Sequence, residues 1–141
     1  TMITPWENAM IVAAIANHGK MMIPYLADHM ESDTGKTVTS YEPKEKGQVI
    51  TEWVAEKLNA LMKEVVKNGT ATSLNAFSYA VAGKTGSAEF DSKGTSHAWF
   101  VGYAPANHPK IAVSIVVEGA GTGSQYAVPI AKDLFREYLG N

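Results

Sequence analysis

The sequence predicts an α+β fold built on an antiparallel sheet. Two observations support this prediction: helical and strand patterns follow in the order helix, helix, three strands, helix, and the turns between the three strands are short. The 141 residues are enough for one domain, and a content of 45% hydrophobic and 18% charged residues is typical of a globular protein. We find no internal repeat and no domain boundary, so a single domain is expected.

The motif T-P-W-E over residues 4–7 predicts the start of the first helix. Its threonine can cap the free amides, its proline fits the first turn, and its glutamate completes a capping box. The helix should run to about Asn17 and end near Gly19, a residue suited to the left-handed C-terminal position. Residues 9–16 are apolar nearly all round, so burial on most sides is expected.

Two further helices are predicted from apolar periodicity and helix-end signals. One begins near Thr51 and ends at Asn68-Gly69. Its apolar stripe consists of Val54, Leu58, Leu61, Met62, Val65 and Val66. The last helix is expected to open near Pro129, after a glycine-rich turn. Its apolar side consists of Ile130, Leu134, Phe135 and Tyr138.

Strands are predicted at 79–89, 97–104 and 110–118, and their short connections favour an antiparallel meander. Residues 22–26 favour a short strand, and the polar segment 31–47 favours a solvated excursion with a small hairpin. Few side chains of 110–118 favour water, so this strand should be central, yet only one obvious partner is available. We expect its second neighbour to lie outside this chain. The alternatives are an edge strand under the last helix, or pairing with 22–26.

Composition and charge limit the function classes. The net charge is −2 with both signs interspersed, which indicates neither a nucleic-acid nor an anionic-membrane partner. The chain has no cysteine, which excludes disulfides and thiolate metal sites. Histidines stand at positions 18, 29, 97 and 108, without the spacing of a metal site. Structural or solvated roles are expected for them, with His97 near a strand start and His29 in a loop.

The segment 81–90 contains Gly83-Lys84-Thr85, which is part of the motif of a nucleotide phosphate loop. That loop requires a glycine five residues before Gly83, where this sequence has Ser78. It must also open a helix, whereas strand-like sequence follows here. Spacing and context both argue against nucleotide binding.

As an extended strand, the same segment suits a different chemistry. Alternation places Thr85 and Ser87 on one side and Lys84 and Gly86 on the other. Two hydroxyls at this spacing suit a carboxylate, and the lysine ammonium favours the anion. Gly86 leaves room for a ligand backbone, and the Ser87 amide would donate to a developing oxyanion. These groups could bind and polarise an acyl group, but they supply no nucleophile, so they would form only half of an acyl-transfer site. The tripeptide K-T-G on its own is more often an exposed strand end.

Six stretches, in this order, resemble the transpeptidase domain of penicillin-binding proteins, most closely the C-terminal half of the monofunctional class B kind. They are 4-TPWENAMIVAAIANHGKMMIPYL-26, 68-NGTA-71, 81-VAGKTGSAEF-90, 98-AWFVGYAP-105, 111-IAVSIVVEG-119 and 127-AVPIA-131. Ser87 departs from the commoner threonine but keeps the hydroxyl. Serine β-lactamases share K-T-G, while T-P-W-E and A-W-F-V-G-Y-A-P are similar to the transpeptidases.

The resemblance implies a five-stranded antiparallel sheet with helices on both faces and the K-T-G strand at the edge of the active-site cleft. In the family, two strands precede everything seen here, and one of them pairs with the strand 110–118. Residues 1–141 would then be a single partial domain, the C-terminal part, which lacks the S-x-x-K and S-x-N elements. Ser73-Leu74-Asn75 matches S-x-N by coincidence, because the family motif lies far upstream.

The resemblance also implies roles for individual residues. Lys84 and Ser87 are the expected catalytic residues, and Thr85, Gly86 and Ser87 are the expected substrate-binding residues. Lys84 would face the serine of the absent S-x-N and assist proton transfer. The hydroxyls of Thr85 and Ser87 would hold the carboxylate of a D-alanyl-D-alanine terminus or of a β-lactam, and the Ser87 amide would form half of the oxyanion hole. No cofactor and no metal ion are implied.

The implied parent is a serine-type peptidoglycan D,D-transpeptidase that cross-links stem peptides through an acyl-serine intermediate. It would act at the extracytoplasmic face of the cytoplasmic membrane, anchored by an N-terminal segment outside this chain. The chain alone is expected to be inactive, and its partners would be the stem peptide, β-lactams and the missing N-terminal half. The alternatives are a non-catalytic domain that binds a partner or self-associates through strand 110–118, and a relative of serine β-lactamases or β-lactam sensors.

Overall fold

The computed structural model describes residues 2–90, 94 and 96–140. Its helices are α1 (Pro5–Ala16), α2 (Glu52–Asn68) and α3 (Gly123–Leu139), with a 3-10 helix at Thr72–Ala76. Its strands are β1 (Lys20–Ile23), β2 (His29–Glu31), β3 (Thr37–Ser40), β4 (Lys44–Gln48), β5 (Ala82–Glu89), β6 (Ser96–Ala104) and β7 (Ile111–Val117). The predicted α+β class is confirmed. None of the helices in the described ranges is both long and apolar enough to cross a membrane.

Strands β5, β6 and β7 form one antiparallel sheet in that order, which confirms the predicted meander. In its register Thr85 lies opposite Phe100, and Trp99 lies opposite Val116. Within the described part of the chain β5 pairs with β6 alone, so the K-T-G strand occupies a sheet edge as expected. The other edge is β7, which was predicted to be central. Pairing of 22–26 with β7 is wrong, because β1 pairs with β4.

The segment between α1 and α2 forms two small sheets of two strands each. Strands β2 and β3 make the expected hairpin, with His29 opposite Ser40. The prediction that His29 lies in a loop is therefore wrong. The side chains of β2 and β3 are all exposed, so this excursion adds little to the core.

Helices cover both faces of the large sheet, as predicted. On one face, α3 and the 3-10 helix enclose Leu74, Phe100 and Phe135, each with no exposed area. On the other, α1 and α2 pack over a second cluster that includes Val12 and Tyr103. The sheet is therefore the middle layer of three, and burial of these apolar side chains is the main force that holds the layers together.

The ring of Phe100 lies against two glycines that face each other across β5 and β6. Gly83 and Gly102 are direct partners in the register. A Cβ on Gly102 would stand 2.8 Å from Cζ of Phe100, and a Cβ on Gly83 would collide with the same ring. An aromatic ring over a glycine pair supplies the packing that the glycines lack. It also fixes the register immediately before the K-T-G residues.

Helix α1 begins with the predicted capping box. The Glu7 amide donates to the Thr4 hydroxyl at 3.2 Å, and the Thr4 amide donates to the Glu7 carboxylate at 2.9 Å. Hydrogen bonds from the backbone and side chain of Thr4 hold the pKa of Glu7 below its usual value. The burial on most sides that was expected for residues 9–16 holds in part: Val12 and Ala14 are buried, Ile11 is 46% exposed and the others are half-buried. The exposed side of the helix also carries Trp6, because the side with Val12 is the one that packs on the sheet.

Helix α2 follows its prediction, with Thr51 at its N-cap and Gly69 at its C-cap. Helix α3 begins at Gly123, well before the predicted start at Pro129, which lies inside the helix. The early start is stabilised by Ala127 and neighbouring buried residues, whose packing on the sheet outweighs the loss of one proline N–H. The predicted apolar side is buried only in part. Its exposed members lie on a line at four-residue spacing, which we call the outer stripe of α3. The stripe consists of Tyr126, Ile130, Leu134 and Tyr138.

Tyr103 makes the stability of this core depend on pH. Its side chain is 1% exposed, and its hydroxyl donates to Oδ1 of Asn59 at 3.0 Å. Burial raises the pKa of Tyr103 to about 12. The folded protein therefore keeps a proton that the unfolded chain releases near pH 10. The resulting stabilisation is complete below about pH 10 and is lost as the pH rises through the folded-state pKa.

Tyr103→Phe should lower the free energy of unfolding by about 1 kcal/mol at pH 7, since it removes one hydrogen bond. Between about pH 10 and 12, its free energy of unfolding should fall less steeply than that of the wild type. Urea unfolding at a series of pH values measures both effects. The matched control is Tyr41→Phe, because Tyr41 is exposed. Parallel curves for the wild type and Tyr103→Phe would contradict the assignment.

Candidate active site

The K-T-G residues border a groove along the free edge of β5. Its volume is about 300 Å³, at the lower end of the range for small-molecule sites. The lining residues are Ile3, Asn8, Lys84, Thr85, Gly86, Ser87, Ala88, Trp99 and Val101. All four residues predicted for the site therefore line this one groove.

Lys84 stands between this groove and a larger apolar one. Its ammonium donates to the carbonyl oxygen of Thr85 at 2.7 Å, so the side chain folds along its own strand. Lys84 also lines a cavity of about 420 Å³ between α1 and α2, where the other lining residues include Ile11 and Leu61. We call this cavity the interhelical groove. Among the residues that line these two spaces, Lys84 is the charged one, and it lines both.

The two hydroxyls of the segment lie on the same face of β5, as the alternation predicted. Thr85 is opposite Phe100 and Ser87 is opposite Ala98 in the register. Ser87 is exposed, and Thr85 is half-buried. The Thr85 hydroxyl lies 2.5 Å from the hydroxyl of Thr70, which follows the end of α2. Thr85 therefore already has one hydrogen-bond partner before any ligand binds.

The N-terminus of α3 lies directly against Gly86. A Cβ on Gly123 would stand 2.8 Å from the carbonyl oxygen and 3.1 Å from the nitrogen of Gly86, and it would also collide with the carbonyl oxygen of Trp99. The side chain of the N-cap residue Thr122 makes no capping hydrogen bond to the first amides of this helix. A free helix N-terminus carries partial positive charge, so the electrostatic potential beside the K-T-G strand favours an anion.

The literal S-x-N match has a structural role. Asn75 donates to the carbonyl oxygens of Val66 at 2.9 Å and Lys67 at 3.2 Å, so its amide caps the last turn of α2. Leu74 is fully buried beneath it. This geometry explains the residues without any catalytic role.

The remaining candidates have ordinary structural contacts. His97 lies in β6, accepts a hydrogen bond from the Gly119 amide at 3.1 Å, and stacks on Phe90 with 4.2 Å between ring centroids. In the described ranges, no three histidine or acidic side chains gather as metal ligands would. The sequence spacing of Glu89 and Asp91 would suit an acid–base pair, although carboxylates at the end of a strand are more often solvated. Glu89 is exposed at the end of β5, and Asp91 lies outside the described residues.

These contacts define what the site can do chemically. Two hydroxyls, an ammonium group and a helix N-terminus favour a bound carboxylate. The free edge of β5 can accept an extended peptide through main-chain hydrogen bonds. The segment is a strand and opens no helix, which agrees with the exclusion of a nucleotide phosphate loop. The arrangement suits binding and polarisation of an acyl donor.

The transpeptidase domain of penicillin-binding proteins matches residues 1–136 of this chain. The chain belongs to this family. The fold and the family expected from the six sequence stretches are confirmed.

Individual relatives agree with this assignment. Peptidoglycan D,D-transpeptidase PbpA of Mycolicibacterium smegmatis is 34% identical, covering 92% of this chain and 28% of the relative. Peptidoglycan D,D-transpeptidase MrdA of Haemophilus influenzae is 32% identical, covering 96% of this chain and 24% of the relative. Penicillin-binding protein A from M. tuberculosis, solved as a ceftriaxone acyl-enzyme complex, superposes with a TM-score of 0.88 at 32% identity, covering 97% of this chain and 32% of that one. The chain therefore spans about a quarter to a third of these proteins.

Two features of the site were not predicted from the sequence. Thr70 contacts Thr85 across fifteen positions, and Gly123 contacts Gly86 from the far end of the chain. For Thr70 a signal was available, because 68-NGTA-71 is one of the stretches that resemble the family. For Gly123 no signal was recognised, because this glycine belongs to the glycine-rich stretch that was predicted to be a turn.

Gly123→Ala should separate α3 from the K-T-G strand. The new methyl group would meet backbone atoms of Trp99 and Gly86, which cannot rotate away as a side chain can. We expect a loss of about 1–3 kcal/mol in the free energy of unfolding, measured by urea titration. The control is Ser124→Ala, at an exposed neighbouring position in the same helix turn. Unchanged stability of Gly123→Ala would contradict the close contact.

Proposed function

We propose that this chain is the C-terminal part of a peptidoglycan D,D-transpeptidase and supplies the K-T-G strand of its acyl-transfer site. One observation carries the proposal: Lys84, Thr85, Gly86 and Ser87 border a single groove on a free sheet edge, in a chain of the transpeptidase family. The relatives named D,D-transpeptidases support the reaction class. The solved acyl-enzyme complex supports a covalent intermediate and β-lactams as ligands.

Each residue has a role that follows from its chemistry and position. The hydroxyls of Thr85 and Ser87 bind the carboxylate of the D-alanyl-D-alanine terminus or of a β-lactam. Gly86 lets the ligand backbone approach, and the Ser87 amide donates to the oxyanion that develops at the attacked carbonyl. Lys84 contributes positive charge and assists proton transfer toward the nucleophilic serine, which lies in the rest of the polypeptide.

The apolar surfaces of the chain suit the remainder of such a domain. The interhelical groove, the outer stripe of α3 and the unpaired edge of β7 all present apolar side chains in the described residues. Their burial against an earlier part of the polypeptide would bring S-x-x-K and S-x-N to the Lys84 side of β5. The parent protein would act outside the cytoplasmic membrane, where its peptidoglycan substrate is found.

The decisive measurement is the intact mass after incubation with benzylpenicillin, on this chain and on the longer polypeptide that contains it. An acyl adduct is expected on the longer polypeptide and not on the chain. Ser87→Ala in the longer polypeptide should slow acylation about tenfold, because it removes one hydrogen bond to a charged group. The matched control is Ser73→Ala, which removes an exposed hydroxyl in the 3-10 helix.

Other outcomes would overturn parts of the proposal. An adduct on the chain alone would place the nucleophile within these residues. Absence of an adduct on both proteins would contradict the proposed transpeptidase activity. Equal acylation rates for the wild type and Ser87→Ala would remove the role of this hydroxyl.

A second candidate function is self-association of the chain through β7. It is favoured by the outer edge of that strand, which has no pairing strand in the described residues and is rich in apolar side chains. Sedimentation of the isolated chain should therefore show dimers or larger species whose fraction grows with concentration. A monomer that persists at high concentration would contradict association through this edge.

A further inference from the structure

The hydroxyl of Thr70 approaches the K-T-G strand from the end of α2. It lies 2.5 Å from the hydroxyl of Thr85, a separation typical of a short hydrogen bond between two hydroxyls. Thr70 is exposed and Thr85 is half-buried on the edge strand. The contact therefore lies at the border of the groove, where a ligand carboxylate would bind.

Local structure holds Thr70 in this place. Gly69 ends α2, and a Cβ at that position would stand 2.8 Å from the carbonyl oxygen of Val65, so the chain can turn sharply only with glycine there. Ala71, which follows Thr70, is 1% exposed, and its amide donates to the same carbonyl oxygen of Val65 at 3.3 Å. A fixed residue on each side leaves Thr70 little freedom to move away from Thr85.

The direction of the hydrogen bond decides what Thr85 can offer to a ligand. Each threonine hydroxyl has one hydrogen to donate. If Thr85 donates to Thr70, it has none left for a carboxylate. If Thr70 donates to Thr85, the Thr85 hydrogen is free to point into the groove. A bound anion selects the second arrangement, in which each hydrogen bond polarises and strengthens the next.

We propose that Thr70 is a positioning residue, which donates its hydroxyl hydrogen to Oγ1 of Thr85 so that Thr85 donates to the carboxylate of the acyl donor. This inference rests on the proposed function of the groove and adds a residue to it. The main chain of Thr85 is held separately, because its carbonyl oxygen accepts from Lys84 at 2.7 Å. Thr70 therefore controls the orientation of the hydroxyl and not the position of the strand.

The test compares acylation of the longer polypeptide by benzylpenicillin and by its methyl ester, which lacks the carboxylate. Thr70→Val should lower the second-order rate constant for benzylpenicillin about tenfold, the equivalent of one hydrogen bond to a charged group. The rate constant for the ester should change less than twofold. Thr70→Ser should restore the wild-type rate, since it retains the hydroxyl. The control is Thr72→Val, the same substitution at an exposed position two residues further on.

A double-mutant cycle with Thr85→Val separates positioning from other roles. On the Thr85→Val background, Thr70→Val should cause no further loss, because the hydroxyl through which it acts is gone. A loss that persists there for benzylpenicillin alone would indicate direct contact between Thr70 and the carboxylate, and would overturn the proposal. An equal loss for acid and ester would indicate a purely structural effect, and would also overturn it.

The wild-type protein distinguishes this inference from the function on which it rests. A wild-type protein that is not acylated removes the proposed function, and the role of Thr70 with it. A wild-type protein that is acylated, together with an unchanged rate for Thr70→Val, removes the role of Thr70 alone.

Discussion

The packing of Phe100 on the paired glycines of β5 and β6 is the constraint on which the rest of the structure depends. The ring belongs to the core under α3, yet it also sets which residues of the two strands face each other. With Gly83 opposite Gly102, Thr85 must lie opposite Phe100 and Lys84 opposite Val101. A slip by one residue would turn each hydroxyl to the other face of the sheet. The orientation of the site is therefore determined by a buried hydrocarbon contact and not by the polar residues themselves.

Two helix ends complete the site, and both depend on glycine. The end of α2 turns at Gly69 and presents a hydroxyl, while the start of α3 reaches the strand through Gly123 and presents its backbone dipole. A strand alone offers little preference for an anion. The convergence of hydroxyls, an ammonium group and a helix N-terminus on one edge produces that preference without a buried charge.

Features determined by local interactions could be predicted from the sequence. The capping box of α1, the apolar stripe of α2 and the three strands of the meander each depend on residues close together in the chain. The start of α3 and the exposed side of α1 could not be predicted in this way. The first depends on a contact between Gly123 and Gly86, and the second on which neighbours cover the helix. Within the site, the alternation of β5 placed Thr85 and Ser87 on one face, whereas the partner of Thr85 came from another element.

Helix α3 rests at both ends on the segment that carries the K-T-G residues. At its start Gly123 abuts Gly86, and near its end the hydroxyl of Tyr79 donates to the carbonyl oxygens of Phe135 at 3.3 Å and Gly140 at 3.1 Å. A helix of this length is roughly 25 Å long and moves as a rigid body, so a displacement of one end also displaces the other. A contact made on the exposed outer stripe of α3 would therefore act on the groove along β5. A neighbour that tilts the helix would shift the edge strand that carries Lys84 and Thr85 directly, because Gly123 contacts that strand without an intervening loop.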